Sequence, residues 1–155
     1  MARVQPLEAE PIFVLPTLHE LASITARLAV AAVLAGAIGW ERERLGKAAG
    51  LRTHMVVALG SALFVMAARE TGMAAGDLSR VVQGIATGIG FVGAGAILKS
   101  TDHLEVHGLT TAATIWLTSA VGMAVGSGAL WLPTVGVALA LLILSVLRRI
   151  EHHMG

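Results

Sequence analysis

Glu41 and Glu43 alternate with Arg42 and Arg44, Lys47 follows, and Arg52-Thr53-His54 comes shortly after. Two chemistries fit this charged run. The carboxylates can bridge arginines between neighbouring elements, or they can hold a hydrated Mg2+, which takes one or two carboxylates and keeps several waters. A second group, His103-Leu104-Glu105-Val106-His107 beside Asp102, alternates metal-ligand types that would share one side of an extended segment. The same residues in a short loop also read as simply solvated. His152 and His153 near the end have less context still. No nucleophile, base and orienting group come together in the pattern, so no catalytic residues are assigned and an enzyme is not expected.

Less charged residues form three further candidates. Residues 83–95 read Gln83-Gly84-Ile85-Ala86-Thr87-Gly88-Ile89-Gly90-Phe91-Val92-Gly93-Ala94-Gly95, with a literal G-x-G-x-x-G at Gly88, Gly90 and Gly93. A dinucleotide fingerprint needs a preceding strand and a βαβ unit, and this match lies inside a long apolar run. On a helix, Gly84, Gly88 and Gly95 fall within about 40° of one another while Gly90 and Gly93 project elsewhere. Glycine on two faces predicts close neighbours on both in a central helix, or a loosened helix whose carbonyls meet a solute beside Gln83. Thr111, Thr114, Thr118 and Gly122 share one helical face. That stripe is either a packing seam, with hydroxyls bonded to carbonyls of their own helix or to a neighbouring helix, or a hydrated path. Arg27 is the formal charge set well inside an apolar span, where it either serves function or snorkels to the headgroups.

The elements that position these residues follow from composition. The 155 residues are 55% hydrophobic and only 14% charged, with 18 glycines and a mean hydropathy of +0.78. A soluble domain carries about 25% charge, so a water-soluble enzyme is excluded. A net charge of +1 offers no polycationic face for nucleic acid. The absence of cysteine removes disulfides and thiolate chemistry. Residues 1–16 do not read as a cleavable signal.

Thr17-Leu18-His19-Glu20 has the spacing of a capping box after Pro16 and starts a helix running to about Trp40. That length, about 35 Å at 1.5 Å per residue, crosses a hydrocarbon core of about 30 Å. Four further apolar blocks run over Thr53 to Ala68, Val81 to Leu98, Leu109 to Gly126 and Ala129 to Leu147. The expected fold is an all-α polytopic membrane bundle of about five transmembrane helices. Seven basic residues (Arg42, Arg44, Lys47, Arg52, Lys99, Arg148 and Arg149) fall on one side against Arg3, Arg69 and Arg80 on the other. The positive-inside rule then sets the N-terminus outside and the C-terminus in the cytoplasm.

Several separated motifs, in order, resemble the MgtC/SapB membrane domain. They are Trp40-Glu41-Arg42-Glu43, Gly46-Lys47-Ala48-Ala49-Gly50-Leu51-Arg52-Thr53-His54, Arg80-Val81-Val82-Gln83-Gly84-Ile85, Gly88 to Gly95, and Val106-His107-Gly108-Leu109-Thr110-Thr111-Ala112-Ala113 with Trp116. The resemblance covers about Ala26 to Gly128, and the last helix follows by position. It implies a multi-pass protein of the bacterial inner membrane associated with magnesium homeostasis. Residues 1–17 would be a polar N-terminal segment, 18–148 the membrane domain and 149–155 a short cytoplasmic tail, without the soluble C-terminal domain of longer members.

Two functions are expected as alternatives. In one, Gln83, Gly84, Gly88, Thr111, Thr114 and Thr118 line a solute or cation path in an oligomer, with Glu41, Arg42, Glu43, Arg52 and His54 as the charged cytoplasmic motif. In the other, the glycine faces dock onto another membrane complex and modulate it without moving solute. The expected partners are the lipid bilayer, a second copy and a membrane protein, and not nucleic acid. No cofactor is expected other than Mg2+ as ligand or substrate, with Glu41 and Glu43 as the metal candidates.

Overall fold

Thr17 opens the first helix with the capping box its spacing predicts. Its hydroxyl accepts the Glu20 N–H at 3.3 Å and the Glu20 carboxylate accepts the Thr17 N–H at 2.8 Å. The computed structural model describes residues 15–98 and 107–154. They form α1 (Leu18–Arg44), α2 (Leu51–Glu70), α3 (Ala75–Leu98), α4 (Leu109–Gly126) and α5 (Trp131–Met154). Each contains a stretch long and apolar enough to cross a membrane. Helices α1, α2 and α3 outrun their apolar blocks because polar end turns continue the same backbone, α4 coincides with its block, and α5 runs from Trp131 on to Met154.

Three helices stop in the same way. After α1, Gly46 N–H bonds the Glu43 carbonyl and Lys47 N–H the Arg42 carbonyl; Gly72 with Met73 and Gly128 with Ala129 repeat the pattern after α2 and α4. This is the Schellman motif, and its left-handed residue is glycine each time, at φ +63, +71 and +90. Three glycines of the compositional excess are therefore chain reversals between spans.

The bundle is organised around α4, which packs against α1, α2, α3 and α5, whereas α3 touches α2 and α4 alone among the described elements. The reason is side-chain size. Ala31 and Ala35 of α1, Ala58 and Ala62 of α2 and Val125 of α4 form one fully buried cluster. In lipid the tails are as apolar as leucine, so helices associate where small residues let backbones approach. A Cβ on Gly122 would overlap the Ala58 carbonyl oxygen and lie 2.8 Å from the Ala58 Cα, and one on Gly126 would lie 2.7 Å from the Ala62 carbonyl oxygen. A Cβ on Gly39 of α1 would lie 2.8 Å from the Leu51 Cα, so that helix meets α2 equally closely. Large apolar side chains, among them Val33, Phe64, Phe91, Leu132 and Leu139, point outward. An outward apolar belt over a small-residue core is the arrangement of a protein solvated by lipid.

The expectation of a central third helix is corrected here. Among the described residues, added Cβ atoms at Gly84, Gly88, Gly90 and Gly95 would meet nothing within 4 Å, and of the five glycines only Gly93 has a close neighbour, the Ala112 Cβ at 3.5 Å. Close packing falls on α1, α2 and α4, and α3 lies at the edge.

Candidate functional site

The charged end of the bundle is built on the turn from α1 to α2. The Glu43 carboxylate accepts the Leu51 N–H at 2.7 Å and so serves the first turn of α2, whose N-cap, Gly50, has no side chain for that task. A Cβ on Gly50 would lie 2.6 Å from that carboxylate oxygen and 3.1 Å from the Glu43 Cβ, so a larger residue there would have to displace the Glu43 side chain from the helix start. Glu43 and Glu41 therefore do different things. Glu41 turns to Arg42, with 3.7 Å between its Oε2 and the Arg42 Nη1, an ion-pair distance too long for a hydrogen bond. Both Glu41 oxygens and the Arg42 Nε are buried with no hydrogen-bond partner among the described residues. No group of three or more metal-ligand side chains occurs among the described residues. Of the alternating motif, His103 and Glu105, with Asp102, lie outside the described residues, while His107 lines a cavity. Arg52 is exposed at the start of α2.

That cavity, of about 750 Å³, opens between the α1–α2 turn, the start of α4 and the end of α5. Arg42, Lys47, Arg148 and His107 line it with Gly108, Thr110 and Thr111. Gly108 has φ +93, and a Cβ there would lie 2.6 Å from the Ala96 carbonyl oxygen, so only glycine lets α4 begin against the end of α3. Of the charged motif Arg42 alone lines this mouth, where it meets Thr111, the first threonine of the stripe.

Behind the mouth the threonine stripe is a packing seam. Thr118 donates to the Thr114 carbonyl at 2.7 Å, and Thr114 Oγ1 lies 2.9 Å from the Thr111 carbonyl, the back-bonding that satisfies a hydroxyl in an apolar helix. Thr111, Thr114 and Thr118 are all buried. His54 joins them from α2, fully buried, with Nδ1 2.8 Å from the Gly50 carbonyl and Nε2 3.2 Å from Thr114 Oγ1. Because the Gly50 carbonyl only accepts, Nδ1 carries the proton. In a neutral imidazole Thr114 must then donate to Nε2 and give up the Thr111 carbonyl. Below this, Ser61 and Ser119 share a hydrogen bond of 2.8 Å between α2 and α4. Neither serine stands out by charge or periodicity; a clue is that Ser119 borders the threonine stripe one position after Thr118.

The glycine side of the expected path lies elsewhere. Gly84 and Gly88 line an apolar groove of about 510 Å³ between α3 and α2, with Val56, Gly60 and Phe64 opposite and Ser61 as the hydroxyl at its wall. Gln83 is exposed, nearly opposite the groove-lining face by helical geometry. The structure thus separates Gln83, the Gly84 and Gly88 pair, and the threonines into three environments. Each residue was legible, but their convergence was inferred from membership of neighbouring apolar blocks, which does not fix helix rotation.

At the opposite end Arg27 reaches the turn between α4 and α5. Its guanidinium lies 3.9 Å from where a Cβ of Gly128 would stand, and Arg69 donates to the Ser127 carbonyl in the same turn. Both cations sit at the C-terminal end of α4, where the helix dipole favours positive charge.

Residues 28–153 match the MgtC family. The chain is 42% identical over 138 residues to YhiD of Escherichia coli (strain K12), named provisionally as a magnesium transporter; the match covers 83% of the chain and 62% of that relative. It is 46% identical over 136 residues to the protein SrpB of Synechococcus elongatus, covering 81% and 75%, and 46% identical over 110 residues to the protein MgtC of Brucella abortus (strain 2308), covering 70% and 44%. The match thus spans about three fifths of the length of YhiD. No solved structure matches the chain.

Proposed function

The chain belongs to the MgtC family, and from that premise we propose that this multi-pass membrane protein serves magnesium homeostasis in the bacterial inner membrane as a docking subunit. The transmembrane helix of another membrane protein seats in the groove between α2 and α3, and no ion passes through the chain's own bundle. The magnesium link draws on the name of the relative YhiD. The docking reading is carried by one observation: the glycine-rich helix is the least buried span and leaves Gly84 and Gly88 open to an apolar groove. A cleft with glycine walls and, among the described residues, no charged lining suits close approach of a second apolar helix. Against a conduit within one chain stand the α2–α4 backbone approach at Gly122 and Gly126 and the burial of the threonines, with the Thr118 hydroxyl held by the Thr114 carbonyl and the Thr114 hydroxyl within reach of both His54 and the Thr111 carbonyl. In this reading the basic end faces the cytoplasm, following the distribution of Lys and Arg, and no chemical step is catalysed.

Reconstitution tests it. Liposomes holding correctly inserted full chain should show Mg2+ entry no faster than protein-free liposomes. Saturable Mg2+ flux through the isolated chain would overturn the reading in favour of transport.

A further inference from the structure

Arg42 is the most deeply buried charge at the basic end, with its side chain 5% exposed. Among the described residues its Nε has no hydrogen-bond partner and its one ion contact, to Glu41, is 3.7 Å long. A buried guanidinium left short of acceptors is costly unless something supplies them. Arg42 lines the 750 Å³ cavity together with Lys47 and Arg148, three formal positive charges, and no carboxylate lines it among the described residues.

The start of α4 faces the same space. Its N-cap is Gly108, which makes no side-chain cap bond, and its first turn holds no acidic residue. The first N–H groups of a helix lack partners within it and carry the positive end of the dipole. Gly108, Thr110 and Thr111 bring that turn to the cavity wall, opposite the side chains of α1 and α5.

We infer that this cavity is a phosphate-binding site, in which Arg42, Lys47 and Arg148 and the first turn of α4 converge on one phosphate group. The guanidinium offers planar paired donors, the helix start offers backbone N–H groups, and Lys47 offers a mobile point charge. A tetrahedral oxyanion with several acceptor oxygens meets all three at once, as chloride cannot. Two sources share this chemistry, the headgroup of an anionic phospholipid and a soluble phosphate. Apolar Ile143, Leu144 and Leu147 of α5 form part of the wall, which suits a lipid as well as a free anion. The site is independent of how the groove between α2 and α3 is used.

The test uses the purified full chain in a neutral detergent with two probes. Inorganic phosphate is titrated against chloride at matched ionic strength, reading thermal stability. Retention of phosphatidylglycerol against phosphatidylcholine is read by native mass spectrometry. A saturable phosphate effect identifies a soluble source, and selective retention of one phosphatidylglycerol identifies a lipid source; either supports the site. The rim variant Lys47→Gln/Arg148→Gln removes exposed side chains and should fold normally, and it should weaken whichever probe binds by about tenfold or more. Arg42→Gln should weaken it further. The site is overturned when neither probe exceeds its control, or when the rim variant binds as tightly as the parent.

Discussion

Helices α3 and α4 are neighbours in sequence and in space, both apolar and both rich in small residues, yet half of the span in α4 is buried against 6% in α3. The difference lies in where the missing Cβ atoms point. In α4, Gly122 and Gly126 press on the backbone of α2, and Thr114, Thr118 and Ser119 are used in hydrogen bonds of the seam. In α3, four of the five glycines between 84 and 95 face open space. Small residues permit close approach without requiring it. A helix that has used that permission is scaffold, and one that has not is, in the reading we propose, a surface for a partner helix.

The contrast can be broken most sharply at its tightest point. Gly122→Leu has no room against Ala58 and should destabilise the purified protein by about 3 kcal/mol or more, or abolish folding, as read by thermal unfolding in detergent. Gly84→Ala, on the open face of α3, should stay within about 0.5 kcal/mol of the parent in the same assay. If α3 were equally packed, the two would fall together. Next in size is His54→Ala, which removes the imidazole link between the Gly50 carbonyl and Thr114 and opens a void in the seam; a loss of roughly 2–3 kcal/mol is expected. A double-mutant cycle with Ser61→Ala and Ser119→Ala should give a coupling of about 0.6–1.7 kcal/mol, the range for hydrogen bonds between membrane helices. The smallest effect on folding belongs to Gln83→Leu, within about 0.5 kcal/mol, because its side chain lies on the exposed face.

Helix existence was legible residue by residue. The Thr17 capping box marked the start of α1, and the apolar block from Leu109 to Gly126 coincides with α4. Five spans followed from apolar length, because a bilayer imposes a minimum that composition alone can meet. The rotation of each helix was not legible. In water an apolar stripe marks the buried face, but in lipid both faces are apolar and the periodicity carries little information. That is why the glycines of α3 read as a packed centre. The better signal was in α4, where Thr111, Thr114, Thr118 and Gly122 share one face and every one of them is buried. Within the charged motif, type and spacing could not tell Arg42, buried at the mouth, from the exposed Arg44 two positions on. Their separation depends on how α1 is rotated against the rest of the bundle.

The central claim is that α4 holds the bundle together while the open glycine face of α3 does the work. Gly84→Leu/Gly88→Leu tests it most directly, in cells that depend on this protein for growth at low magnesium. The account predicts normal membrane abundance and a parental unfolding temperature together with loss of low-magnesium growth. Normal growth, or a collapse of stability like that of Gly122→Leu, would contradict it.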